Sequence, residues 1–474
     1  MQQARIANLK EWMRAGSIAG LLLGLAACQN DPNLAGQRYD LREIDQAAEV
    51  LALDSDSDPR AQGGEPPETV KRTEQRPYQV TGEPAPLRLP APQNLSSWTH
   101  FGSNSGHLIP HLALRNAPLT RVWATDIGEG NTKRMRLTAR PVVQGDRIFV
   151  MDSHSMVSAL NSSGQVIWQK SLVPAGEKPG EALSGGLAIH GGQIFATTGY
   201  GRLHALNAAT GAVEWTQSLG AAATTAPAVD GGLVYVTTRN ARGWAIDTGT
   251  GRIVWELEGV EATASTIAAG SPAVGGRLAL FPLGNTELAG VLKQGGVSLW
   301  SASVSGQRAG RPYGVFGGVS GAPVISGDTI YAATAAGRLI ALDAASGNRV
   351  WTALEGAGGG GIQVVGNAIF LISDDAELLR LNSSDGSRVW SATLPQYLNE
   401  KILRRREVFA HYGPILAGGR LITLSNDATM REVDPNSGSL IRVTELPGPA
   451  AMDPIVVGGT LYIMTADGVL HAYR

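Results

Sequence analysis

The stretch GAPVISGDTIYAATAAGRLIALDAASGNRVW, residues 321–351, decides the fold. It reads as four short strands. Pro323-Val324-Ile325 is a short apolar run, closed by a Gly-Asp turn of the kind that joins hairpin strands. A Thr-Ile-Tyr strand follows, then a glycine turn, then Leu339 to Asp343, and a Ser-Gly turn leads into a last strand ending at Trp351. The same pattern recurs at 139–168, 185–215, 225–255, 270–300 and 360–390, each copy ending in tryptophan. A seventh copy, 412–441, puts Ile441 where tryptophan is expected, and the chain closes on a partial eighth, 452–474. Four-stranded units at spacings of about 40 to 50 residues are the signature of propeller blades. The strands lack strict alternation because sheets packed face to face bury both their faces.

The two ends imply how the ring closes. The eighth copy stops after three strands, and Pro118-Leu-Thr-Arg-Val-Trp123 supplies a strand with no blade of its own. Pairing Leu119–Asp126 with Leu470–Arg474 completes the blade and covers two otherwise open edges. The expected fold is therefore all-β: an eight-bladed β-propeller over 96–474, seven complete blades and one split between the termini. Composition agrees, since 60 glycines among 474 residues favour tight turns over long helices. Thirty-nine basic against 41 acidic residues leave no basic field for nucleic acid. One cysteine excludes a disulfide framework and paired-cysteine metal sites.

Upstream of the repeats, Arg5, Lys10 and Arg14 precede an apolar run from Ala15 to Ala27. That run is shorter than the roughly 20 residues a spanning helix needs, and it reads as a secretory signal, residues 1–27. Leu25-Ala26-Ala27-Cys28 resembles a bacterial lipobox, which implies that Cys28 carries a diacylglyceryl group; the alternative is an ordinary signal with an incidental cysteine. Gln29 in place of the aspartate associated with inner-membrane retention implies the outer membrane. Residues 28–95 are expected to be a disordered, proline-rich acidic tether, with eight prolines between 59 and 92. Leu41, Ile44, Ala48 and Leu51 fall on one face at helical spacing, so 38–53 is a short docking helix or a transient one.

Ala205–Trp215, Ala245–Trp255 and Ala341–Trp351 share the form A-x-D/N-x-x-T/S-G-x-x-x-W. This resembles the tryptophan-docking repeat of quinoprotein dehydrogenases and their non-enzymatic relatives. The indoles read as structural, each burying a large ring between blades with its N–H on a neighbour. Enzymes on this repeat commonly stack PQQ on a vicinal disulfide and hold calcium with Glu, Asn and Asp. Here the only cysteine belongs to the export signal. Asp374-Asp375 reads as a solvated turn, and His100, His107 and His111 lack the spacing of a helical metal pair. Gly358–Gly361 has no following Lys-Ser/Thr and is no phosphate loop. No nucleophile–base–orienter set is present. The reading is of a non-catalytic protein with no metal and no cofactor.

Lipobox, tether and eight such blades together resemble the BamB family, lipoproteins of the outer-membrane β-barrel assembly machine, the BAM complex. The resemblance implies a monomeric periplasmic scaffold anchored in the outer membrane and bound to the POTRA domains of BamA. Family contacts map onto residues 261–271 and 308–321, where Ile267, Arg308, Arg311, Tyr313 and Phe316 are the expected partner-binding residues. The aspartates of the family pattern are absent from the second stretch. Lys401 with Arg404, Arg405 and Arg406 forms a second basic patch, suited to an acidic partner or lipid headgroups, or simply solvated. Two rival readings stand beside this one: a periplasmic adaptor of another envelope complex, and a PQQ-dependent dehydrogenase.

Overall fold

A computed structural model describes residues 77–260, 270–283, 286–304, 322–334, 337–357, 361–398 and 407–474. The signal segment 1–27, Cys28, the helix expected at 38–53 and the tether as far as residue 76 lie outside the described residues. Among those described, every regular element is a β-strand, and the strands form eight antiparallel sheets. Blades one to seven follow one another along the chain. Blade eight joins Ile455–Val457, Thr460–Met464 and Val469–Tyr473 to Arg121–Asp126. That closing strand pairs Arg121 with Tyr473 and Asp126 with Val469, as the termini imply.

Blade three shows how sequence becomes sheet. Its inner strand, Ala228–Asp230, turns through Gly231 and Gly232, both at positive φ, into Leu233–Thr237. Two-residue turns of that kind match the twist of the strands they join. Leu233–Thr237 is buried throughout, whereas the outer strand, Ile253–Glu258, alternates half-buried with exposed residues. The apolar pattern therefore fades outward from the axis.

The tryptophans lock each blade to the next. Trp123, Trp168, Trp215, Trp255, Trp300, Trp351 and Trp390 each donate Nε1–H to a carbonyl in the following blade's last turn, at 2.8 to 3.2 Å. The turn glycine lies flat on the indole. A Cβ on Gly347 would stand 2.5 Å from the Trp300 ring, and Gly438 meets Trp390 in the same way. Positive φ at these glycines (+69° and +74°) suits a residue without a side chain for a second reason. Ala159, Ala205, Ala245, Gly290 and Ala341 face the tryptophans across the sheet, and a bulge follows each of them. A small residue there leaves room for the ring, and the bulge adds local twist.

The eighth seam corrects the sequence reading. The residue in register with the tryptophans is Arg442, opposite Glu432, and not Ile441. Arg442 donates to Glu432 at 3.0 and 3.1 Å, and Arg420 Nε reaches the same buried carboxylate at 2.5 Å. Blade eight is split where the other blades have their last turn, so no glycine turn exists there to receive an indole. Arg420 instead holds the entering chain by donating to Arg115 O at 3.0 Å, and Thr120 and Arg474 exchange main-chain bonds at the split.

Candidate functional site

Residues 95–112 make one circuit of the propeller axis. Gly458 N of blade eight donates to Leu95 O, and Ser97–Trp98 pairs as an extra inner strand with Val143–Gln144 of blade one. Ile189 N of blade two donates to Thr99 O, and Val229 N of blade three to His100 Nε2 at 3.0 Å. Val274 N of blade four and Ile325 N of blade five donate to Ser105 O and Gly106 O. Gln363 of blade six donates to Pro110 O, and Leu112 exchanges main-chain bonds with Leu416 and Gly418 of blade seven. Buried N–H and C=O groups at the inner rim need partners, and this one segment supplies them in every blade.

Packed against this segment is a buried ion pair where blades six, seven, eight and one meet. Arg140, from the start of blade one, pairs with Asp453 at the start of blade eight; each residue is 8% exposed. Asp453 also accepts from Gly413 N of blade seven at 2.5 Å and from Gly361 N before blade six at 3.3 Å. The Arg140 guanidinium covers the Phe101 ring, 3.4 Å from its centroid, and Phe101 meets His107 edge-on at 5.6 Å. Burial pulls the Arg140 pKa down and Asp453 opposes it. Arg140 thus covers one face of Phe101, and both Asp453 oxygens are engaged. Among the described residues, no group of three or more His, Cys, Asp or Glu converges as a metal would require.

The histidines here are structural. His107 donates Nδ1–H to Pro323 O at 3.0 Å, and His111 bridges Pro90 O and Gly419 N. Burial pushes His100 down to about 4 and His107 to about 3, and holds His204 and His411 at about 4. Unfolded histidine titrates near 6.5, so the unfolded chain binds more protons below that pH. Each of these residues thus contributes stability that is complete above pH 6.5 and is lost as pH falls toward 4. The expected loss by pH 5 is on the order of 2 kcal/mol per histidine. Urea midpoints measured from pH 7.5 to 5 should fall steeply, and a flat profile would contradict neutral burial.

The proline-rich segment upstream is not free. Val80–Gly82 adds a fifth strand to blade six, pairing with Trp390–Ala392. Tyr78 donates its hydroxyl to Gly438 O of blade seven at 2.6 Å, and Tyr78, Val80, Leu87 and Leu89 pack against the core around Trp390. Residues 77–95, assigned to the tether by sequence, therefore belong to the propeller. Their prolines forbid helix but favour an extended conformation, which costs little entropy to dock.

The residues expected to bind a partner, Ile267, Arg308, Arg311, Tyr313 and Phe316, lie outside the described residues, as do Lys401, Arg404, Arg405 and Arg406. Asp374 and Asp375 sit in a blade-six turn, where Asp375 N meets Ser373 Oγ at 3.2 Å. Sequence reading missed the axial pair Arg140–Asp453. Its one signal is a charged residue just before the proline that leads into each of two inner strands, Arg140-Pro141 and Asp453-Pro454.

Fold and docking pattern define a class: eight-bladed, tryptophan-docked propellers. Within it, a family model described as outer membrane protein assembly factor BamB matches residues 153–392, half of the chain. The chain belongs to that family. Curated BamB proteins of Escherichia coli K12 and Salmonella typhimurium are 35% and 34% identical to it over 248 and 239 residues. Each alignment covers 49% of this chain and 60% of the relative, so the chain matches less than two thirds of their length. Among solved structures, BamB from Moraxella catarrhalis superposes with a TM-score of 0.61 at 19% identity, covering 75% of this chain and all of that one. A europium-containing methanol dehydrogenase gives 0.62 at 13% identity, covering 80% and 98%, a likeness of fold alone.

Proposed function

We propose that the chain is a non-catalytic scaffold of the BAM complex, assisting the assembly and insertion of outer-membrane β-barrel proteins. The carrying observation is the family match across blades one to six. In this reading Cys28 is the lipidated residue, the residues between it and the propeller are its tether, and the propeller works at the periplasmic face of the outer membrane. It binds the POTRA domains of BamA through the connections before blades four and five, using Ile267, Arg308, Arg311, Tyr313 and Phe316. Tyrosine and arginine suit the centre of such an interface. Lys401 and Arg404–Arg406 form a secondary patch for an acidic partner or lipid headgroups.

The test is an affinity pull-down of the lipidated chain from detergent-solubilised envelopes, read by mass spectrometry. BamA should be recovered, and reversing Arg308 and Arg311 to glutamate should lower its yield at least tenfold. Recovery unaffected by the reversals would remove those residues from the interface. Enrichment of a different envelope complex without BamA would make the chain an adaptor for that complex.

A further inference from the structure

We propose that the outer edge of blade six is a peptide-docking site, and that residues 77–89 are a ligand held there in cis as a releasable strap. Blade six differs from its neighbours in the residue opposite the docking tryptophan. Where blades one to five carry alanine or glycine, it carries Arg380, opposite Trp390. The Arg380 guanidinium donates to Ala85 O at 2.8 Å, Pro86 O at 3.0 Å and Asn436 O at 3.3 Å. Two of these three acceptors belong to the strap, and Arg380 is 1% exposed with the strap in place. A buried cation whose two terminal nitrogens both donate to peptide carbonyls is a reader of extended main chain, since neither a helix interior nor a strand paired on both sides leaves adjacent carbonyls free.

Further groups read the same segment. Asn367, in blade six's first turn, accepts from Arg88 N at 2.9 Å and donates to Pro86 O at 3.1 Å. Thr393 Oγ donates to Pro77 O at 2.6 Å and accepts from Gln79 N at 2.8 Å, while Thr81 and Ser391 hydroxyls meet at 2.7 Å. Side-chain selection comes from Tyr78, whose hydroxyl reaches across to blade seven, and from Gly82. Gly82 has φ +95°, and a Cβ there would lie 2.3 Å from Val389 O. The site therefore takes an extended peptide with a tyrosine, an aliphatic residue two positions on and a glycine two beyond that, followed by Pro-Leu-x-Leu. Strand addition to a sheet edge with pockets for chosen side chains is an established mode of peptide recognition.

The strap is short, three ladder pairs and a few side-chain bonds, and its hold depends on covalent attachment. Gln93 remains fixed at the axis by bonds with His111 and Ala113. A ligand on so short a leash has a millimolar effective concentration, so cis occupancy hides a site of modest intrinsic affinity. Release would free residues 77–92, about 50 Å of extended chain. It would also bare Trp390 and an unpaired strand edge.

The experiment uses the full chain with Gly82→Val, which expels the strap by steric clash while every residue of the four repeat strands of each blade stays unchanged, and a fluorescent peptide of residues 77–90. Hydrogen exchange at 388–393 should quicken in the variant. By fluorescence anisotropy the peptide should bind the variant at least tenfold more tightly than the wild-type chain. Adding Asn367→Ala, in an exposed turn, should weaken binding at least tenfold, and a peptide bearing Gly82→Val should not bind. Unchanged exchange, absence of peptide binding to the Gly82→Val chain, equal binding to both chains, or indifference to Asn367→Ala would each overturn the proposal.

Discussion

Replacing Trp390 with alanine is expected to lower the unfolding free energy by about 3–5 kcal/mol, the range for deleting a large buried ring. Trp390 is the most deeply buried docking tryptophan, 1% exposed against 9% for Trp300 and Trp351, because the strap covers its outer side. Its indole closes the seam between blades six and seven by two routes: it donates to Pro435 O and it lies against the Gly438 turn, while Phe370 of its own blade backs the ring at 6.3 Å between centroids. Trp168 and Trp215, half-buried in their seams, should cost less on the same change. Gly438→Ala strains a φ of +74° and places its methyl 2.8 Å from the ring, so it is also destabilising. The two changes share one contact, and their effects should not add. Urea unfolding followed by far-ultraviolet circular dichroism measures both. A loss below about 1 kcal/mol for Trp390→Ala would show that the seam does not depend on the indole.

Asp453→Ala is the second large effect. Four blades meet at this carboxylate through Arg140, Gly361 N, Gly413 N and its own strand. Removing it leaves a buried guanidinium without a counter-charge and two main-chain donors without an acceptor. Breaking one side of a buried pair costs about 3–5 kcal/mol, much of it the penalty on the orphaned charge. Arg140→Met combined with Asp453→Leu should recover the share of that loss owed to the orphaned charge, leaving the cost of the two main-chain donors. The same urea titration decides the matter. Equal losses in the single and double variants would mean that the pair acts through shape and not through charge.

These two sites mark where sequence was and was not sufficient. Blade count and ring closure were legible because a tryptophan with a fixed turn before it repeats at blade spacing, and because each turn needs its own glycine. The eighth seam was misread by one residue. Aligning on hydrophobicity picked Ile441. Counting the eight residues from Asp343 to Trp351 and applying them to Asp434 gives Arg442, the residue the register selects. The axial circuit was invisible for a different reason. Its bonds to the inner strands are largely main-chain, so almost any sequence able to follow that path would make them, and its histidines look like isolated polar residues. The strap was hidden by composition, since eight prolines signal disorder wherever no neighbouring surface is known. Arg380, an arginine in a repeat position otherwise alanine or glycine in five blades, was the available clue.

A ring whose blades are locked at the rim by indoles and at the axis by a single threaded segment is a stiff platform. The connections proposed to bind a partner lead into two of its blades. A scaffold needs this stiffness, because contacts held in fixed relative positions lose little entropy on binding.

The most direct test of the scaffold reading is the folded fraction of outer-membrane β-barrels in cells lacking this chain. Heat-modifiable electrophoresis of outer-membrane fractions separates folded from unfolded barrels. The account predicts a reduced folded yield that the wild-type chain restores and a Cys28→Ala chain, retained in solution, restores poorly. Folded yields unchanged by loss of the chain would contradict a role in barrel assembly.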